Sequence, residues 1–259
     1  MELSLYQIDA FASKLFEGNP AAVCPLDQWL SDEVMQNIAT ENNLSETAFF
    51  VPQGDGFHIR WFTPASEVDL CGHATLATAH VLFNILDYEN SRIEFDSRSG
   101  ILTVTKENER LVMDFPAQSP VACDTPEEIV KAFNKVPLEC LTAEDYIVVF
   151  ENEAEVESAA PDFEQLKKLG LRGVAITAKS NRYDFVARFF APNYGIPEDP
   201  VTGSAYTQLT PYWADTLGMK KFFVKQLSPR GGELSCEIKD DRVFISGKAV
   251  KYLEGKIVI

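Results

Sequence analysis

The chain is poor in positive charge: 23 Lys and Arg stand against 39 Asp and Glu, for a formal net charge of −16. Nucleic-acid phosphates would be repelled unless a local basic patch offset that balance, and no stretch supplies one. Long hydrophobic runs are also missing. None reaches the roughly 18 residues needed to span a bilayer, and Met1-Glu2 leads directly into a strand-like alternation rather than a signal peptide. The expectation is a cytoplasmic protein with neither membrane nor nucleic acid as partner. Cysteine is sparse. Cys24, Cys71, Cys123, Cys140 and Cys236 include no closely spaced pair suited to a zinc clip, and an odd count fits free thiols, so no metal is expected.

What is present is enough apolar material, 46% of 259 residues, for one large or two modest cores. The stretch that organises the sequence is Asp69-Leu70-Cys71-Gly72-His73-Ala74-Thr75-Leu76, opening the run HATLATAHVLFNIL. From His73 to Leu86 no residue is charged, and apolar side chains fall all round a helical wheel, which predicts a helix buried on every side. Gly72 and His73 sit where the first unpaired N–H groups of that helix point, a ready anion site. Asp199-Pro200-Val201-Thr202-Gly203-Ser204-Ala205-Tyr206 repeats the arrangement before SAYTQLTPYWADTLG. Pro211 inside this second helix predicts a kink or a late start.

The repeat is longer than these two turns. RWFTP at Arg60 matches RFFAP at Arg188 with an offset of 128, LSETAFF at Leu44 faces LRGVAIT at Leu171 with an offset of 127, and Gly100 and Arg110 fall on Gly232 and Arg242 with an offset of 132. We therefore expect two similar halves, residues 1–118 and 119–259. Alternation predicts strands over 3–11, 47–51, 57–63, 100–106, 111–115, 146–150 and 174–177, with helices from Ser31 to Thr40 and from Phe163 to Leu169. Thr125-Pro126-Glu127-Glu128 reads as a capping box opening a helix to about Asn134, and 151–157 as a solvated acidic face or loop. Strands wrapped in sequence around one apolar helix predict, in each half, a curled sheet enclosing it, an α+β fold.

The halves differ in their chemistry. The first offers Glu46, Cys71 and His73, whereas the matching stretches of the second offer Gly173, Ser204 and the nearby Asp199. If the helix N-termini meet at a cleft between the halves, they would hold a carboxylate and stabilise an enolate-like charge. A buried carboxyl such as Glu46 could move protons both ways without a cofactor.

These residues resemble a known family. NPAAVC from Asn19, NLSETAFF from Asn43, RWFTPASEVDLCGHATLATAHVLF from Arg60, EDPVTGSAY from Glu198, PYWADTLG from Pro211 and SPRGGEL from Ser228 are similar, in order along the chain, to PhzF proteins, the phenazine-biosynthesis-like isomerases. The resemblance implies the diaminopimelate epimerase-like fold and a homodimer. It also implies proton transfer by Glu46 assisted by His73 and Asp199, with Gly72, Gly203 and Ser204 holding a small carboxylate-bearing substrate. Related epimerases and racemases resemble a two-thiol machine, and this chain has no cysteine between Asp199 and Tyr206, so a symmetric racemisation fits less well than an isomerisation. An amino-acid racemase, an inactive binding protein of the same fold, and a hydrolase using Cys71 remain the alternatives.

Overall fold

The computed structural model describes residues Met1 to Ile259 and divides into two compact units. The first comprises Met1–Asp114 together with Ser246–Ile259, the second Phe115–Ile245. The division differs from the sequence expectation at the C-terminus. Residues 246–259, read with the second half, carry the strand Ala249–Val258, which pairs antiparallel along the whole of the first strand.

In the first unit, β1 (Glu2–Ala10) pairs antiparallel with β2 (Asn19–Pro25), helix α1 (Asp32–Asn42) crosses over, and β3 (Glu46–Gln53) lies parallel to β2. Next come β4 (Gly56–Phe62) and β5 (Glu67–Val68), then helix α2 (Gly72–Asn84), after which β6 (Arg92–Asp96) returns parallel to β4. The hairpin of β7 (Leu102–Glu107) and β8 (Arg110–Pro116) closes the series. Helix α2 touches β1, β2, β3, β7 and the C-terminal strand, so the sheet curls around it. Eleven of its thirteen residues are buried, which is the all-round apolar helix that the sequence predicts. Helix α1 packs on the outside of the sheet through Met35, Ile38 and Ala39, against Cys24, Phe49 and Phe62.

The second unit repeats this pairing scheme. After β9 (Val121–Ala122) and α3 (Glu127–Phe133), β10 (Glu139–Thr142) pairs antiparallel with β11 (Tyr146–Val149). The short helices α4 (Glu153–Glu157) and α5 (Phe163–Leu166) cross over to β12 (Val174–Lys179), parallel to β11. Then β13 (Phe185–Ala191), β14 (Ile196–Asp199) and helix α6 (Tyr206–Leu217) lead to β15 (Lys221–Gln226), parallel to β13, followed by β16 (Gly232–Lys239) and β17 (Arg242–Gly247); the C-terminal strand, β18, belongs to the first unit. Parallel pairs thus occur at the same two places in each unit. The repeated arginines do the same work: Arg60 forks onto Glu67 at 2.7 and 2.8 Å with its guanidinium over Phe62, and Arg188 onto Glu198 at 2.7 and 2.9 Å over Phe190.

Three local expectations are corrected or made specific. Helix α3 starts at Glu127 with Pro126 in the capping position and no side-chain cap, so Thr125 does not form a capping box. Residues 151–157 contain α4, a helix rather than a loop: Glu151 and Glu157 are exposed as an acidic face, while Val156 is fully buried and the Val156 and Glu157 carbonyls accept hydrogen bonds from Arg188. Helix α6 begins three residues beyond Gly203, after a 3₁₀ turn over Gly203–Ala205, and continues through Pro211. Proline has no N–H for the Thr207 carbonyl one turn back, and that carbonyl instead accepts from the Gln118 N–H at 3.0 Å.

Gly173 shows why the halves cannot be chemically alike. A Cβ at this position would stand 2.5 Å from Cζ of Phe189 and 2.9 Å from the backbone oxygen of Phe190. The place that Glu46 fills in the first unit therefore admits no side chain in the second. Gly173→Ala is expected to destabilise the protein by about 1–3 kcal/mol through overpacking, measured as a lower denaturation midpoint at unchanged slope.

Candidate active site

In the first unit, strand and helix starts converge on one histidine. Asn43 takes a left-handed conformation (φ 49°) to end α1, and three residues later Glu46 opens β3 beside Ala21 of β2. Asn19 opens β2, and His73 is the second residue of α2. No side chain caps α2 and its first turn holds no acidic residue, so the helix itself supplies no negative charge at the positive end of its dipole. Glu46 and His73 are only 8% and 4% exposed.

The His73 Nε2 atom lies 3.1 Å from Oε2 of Glu46. The two are close enough to attract as an ion pair but are not aligned as a hydrogen bond, and both atoms are buried without a directed partner. On the other side of the ring, Nδ1 is 3.3 Å from Nδ2 of Asn19 and 3.5 Å from Sγ of Cys71, and the Ser45 hydroxyl donates to Oδ1 of Asn19 at 3.4 Å. Burial pushes the His73 pKa down, but the Cys71 sulfur in its ionised form and the Glu46 carboxylate outweigh it, and the net shift is well above the ordinary imidazole value.

Glu46, Cys71 and His73 bring three donors within 4.8 Å of one another, as a metal site would. Their arrangement does not suit one: the carboxylate faces Nε2 and the thiol faces Nδ1, so the ring stands between them, and one imidazole cannot give both nitrogens to one ion. Burial raises the Cys71 pKa to about 11, which keeps the sulfur a thiol at neutral pH and a poor nucleophile. Cys71→Ser is accordingly expected to leave any Glu46-dependent turnover within about threefold of wild type, compared as kcat/KM; a loss near 10³-fold would favour the hydrolase reading.

In the second unit, Asp199 ends β14 and is nearly buried, its Oδ2 accepting the Thr202 hydroxyl at 2.5 Å. The buried Gln226 ties this turn down: its Nε2 donates to the Asp199 carbonyl at 2.8 Å and its Oε1 accepts the Thr202 N–H at 3.0 Å. Gly203 and Ser204 form the 3₁₀ turn that leads into α6. The Ser204 Oγ accepts from Nη1 of Arg172 at 3.0 Å.

The structure thus brings Glu46 and His73 into contact within the first unit, places Gly72 at the bare start of α2, and sets Asp199, Gly203 and Ser204 on one braced turn within the second. The other histidines lie elsewhere. His58 packs edge-on against Trp29, and His80 lies against Asn84, with burial and Lys106 lowering its pKa to about 4. Sequence reasoning missed Asn19, Arg172 and Gln226. Only Asn19 had a local signal, as a buried polar residue between Gly18 and Pro20 in an otherwise apolar strand.

Comparison with known proteins finds relatives along the whole chain. A family model for phenazine biosynthesis-like proteins, PhzC-PhzF, matches residues 8–255. A Pseudomonas aeruginosa protein described as an uncharacterized isomerase is 53% identical over 257 residues, 99% of each chain. A crystal structure of a PhzF-family phenazine biosynthesis protein from Enterococcus faecalis superposes with a TM-score of 0.98 at 46% identity over 100% of both chains. A hydroxyproline epimerase from Agrobacterium vitis shares the fold alone, with a TM-score of 0.64 at 7% identity over 99% of this chain and 92% of that one.

Proposed function

The chain belongs to the phenazine biosynthesis-like PhzC-PhzF family, and from that premise we propose that it is an isomerase that needs no cofactor and moves a proton within a small carboxylate-bearing metabolite. The observation that carries this reading is the Glu46–His73 pair, a buried carboxylate and imidazole whose Oε2 and Nε2 atoms lie 3.1 Å apart, neither of those two atoms having an aligned hydrogen-bond partner. Buried polar atoms are almost always satisfied, so such a pair fits groups whose partner is the reacting molecule.

In the proposed reaction, Glu46 takes a proton from a carbon activated by the substrate's carboxylate or double bond. The electron pair moves into the conjugated system, and Glu46 returns the proton to a different carbon, so atoms and charge balance without an external acid or oxidant. His73 offsets the charge on Glu46 before and after transfer. Asp199 is proposed to orient the substrate, and Gly72, Gly203 and Ser204 to hold its carboxylate through backbone N–H and hydroxyl donors.

A racemase is the second reading. The lack of a second cysteine between Asp199 and Tyr206 speaks against the two-thiol version. Proton NMR in deuterated water decides between the readings, using wild type and Glu46→Gln against a panel of unsaturated cyclic acids and amino acids. Glu46-dependent loss of a carbon-bound proton with rearrangement supports the isomerase. Exchange at a stereocentre with loss of optical rotation supports the racemase. Binding without any exchange overturns both in favour of a binding protein.

A further inference from the structure

The second unit contains a polar brace that no part of the proton-transfer reading uses. Asp145, in the turn between β10 and β11, is 0% exposed. Both its oxygens are forked by Arg172, Nε to Oδ1 at 2.9 Å and Nη2 to Oδ2 at 2.6 Å. Gln208 of α6 closes the arrangement, donating from Nε2 to Asp145 Oδ2 at 2.6 Å and accepting the Asp145 N–H at 3.0 Å. The guanidinium lies 5.4 Å from the centre of the Phe189 ring. Held in this way, Arg172 points Nη1 at the Ser204 oxygen, 3.0 Å away, with Glu144 at 3.2 Å as its other neighbour. In the repeat, Arg172 occupies the place of Ser45, so the brace belongs to the second half alone.

We propose that Arg172 is a specificity-determining positioning residue: by occupying the acceptor side of Ser204 it turns that hydroxyl into a donor, so that the turn accepts a carboxylate and rejects its uncharged amide. A serine hydroxyl has one proton to give and lone pairs to receive, whereas guanidinium can only give. With Arg172 donating to Oγ, the Ser204 proton points elsewhere, and the Ser204 carbonyl is already taken by the Thr207 hydroxyl at 2.7 Å. The neighbouring helix-start N–H groups are also donors only. A carboxylate brings two acceptor oxygens to such a lining. A primary amide brings one acceptor and an NH₂, and that NH₂ is poorly matched here because Arg172 holds one Ser204 lone pair and the Asp199 carboxylate on the same turn already accepts the Thr202 hydroxyl. Selection comes from hydrogen-bond polarity rather than net field, because Asp145 and Glu144, two negative charges against one, leave no net positive charge around Arg172.

This inference rests on the reading of Gly203 and Ser204 as substrate-holding groups, and binding rather than turnover tests it. Titration calorimetry would compare cyclohex-1-ene-1-carboxylate with cyclohex-1-ene-1-carboxamide on the full chain. Wild type is expected to prefer the acid. Arg172→Lys keeps the charge but cannot span both Asp145 and Ser204, and both it and Ser204→Ala should cut that preference about tenfold. The double variant should cut it no further, because the two act through one contact. An unchanged preference in Arg172→Lys, an additive double variant, or no preference in wild type would overturn the proposal. If Arg172→Lys does not fold, Asp145→Asn loosens the same fork and takes its place, with the same expected direction. A chain that shows Arg172-dependent acid preference but no proton exchange in deuterated water would refute the isomerase reading alone.

Discussion

Glu46→Gln is expected to lower proton exchange and isomerisation by a factor on the order of 10²–10⁴, with substrate affinity changed far less. Glutamine has the shape and hydrogen-bonding reach of glutamate but cannot accept a proton from carbon. The variant therefore separates loss of chemistry from loss of packing. It should also change the alkaline stability of the protein. The folded-state pKa of His73 lies well above the ordinary imidazole value. A raised pKa contributes stability that is fully present below the unfolded value of about 6.5 and is lost as pH rises through the folded value. Glu46 is one of the two groups that raise it, so the wild type should lose stability on that alkaline limb and Glu46→Gln should show a flatter one. Denaturation midpoints from pH 6 to 10 alongside NMR exchange rates would check both parts. Retained exchange in Glu46→Gln would remove the central premise of the proposed reaction.

The second large effect is on stability. Arg172→Met should destabilise the second unit by about 3–5 kcal/mol, because it leaves the fully buried Asp145 carboxylate with Gln208 as its remaining side-chain donor. The more exposed ion pair of Arg172 with Glu144 should matter little by comparison. Removing both charges together, as Asp145→Leu with Arg172→Met, should recover much of the loss, since two apolar side chains of similar bulk carry no stranded charge. Calorimetric unfolding of the three variants would show this as a non-additive cycle. A loss below about 1 kcal/mol in Arg172→Met would mean that water reaches Asp145 and that the brace is not rigid enough to aim the Ser204 hydroxyl.

Much of the architecture could be read in advance. The helix over 72–84 announces itself because a run with no charge and no polar face can only be buried, and the interval of 127 to 132 residues between matching motifs shows the fold to be doubled. Pro211 announced an irregular second helix, and the 3₁₀ turn and freed Thr207 carbonyl are its local form. Thr125 illustrates the opposite limit: its motif suits a cap, but cap geometry depends on backbone angles that the four letters do not fix. The terminal strand 249–258 is another case. It has no clean alternation to mark it as a strand, and which sheet a chain end joins depends on where it lies after folding; here it pairs with β1.

The sequence alone determined the two buried helices, the repeated order of strands and the family, and it nominated the residues proposed to move a proton. These are properties of local pattern, carried by periodicity, by glycine and proline, and by motifs a few residues long. Only the tertiary structure decided how those residues act on one another. Glu46 and His73 meet at 3.1 Å from strand and helix starts 27 residues apart, and Asn19 reaches the same ring across 54. Asp145 reads in sequence as an ordinary acidic turn residue and becomes a buried charge because Arg172 and Gln208 close over it. Burial, hydrogen-bond direction and the shift of a pKa are set by neighbours brought together by the fold, which no local stretch of sequence specifies.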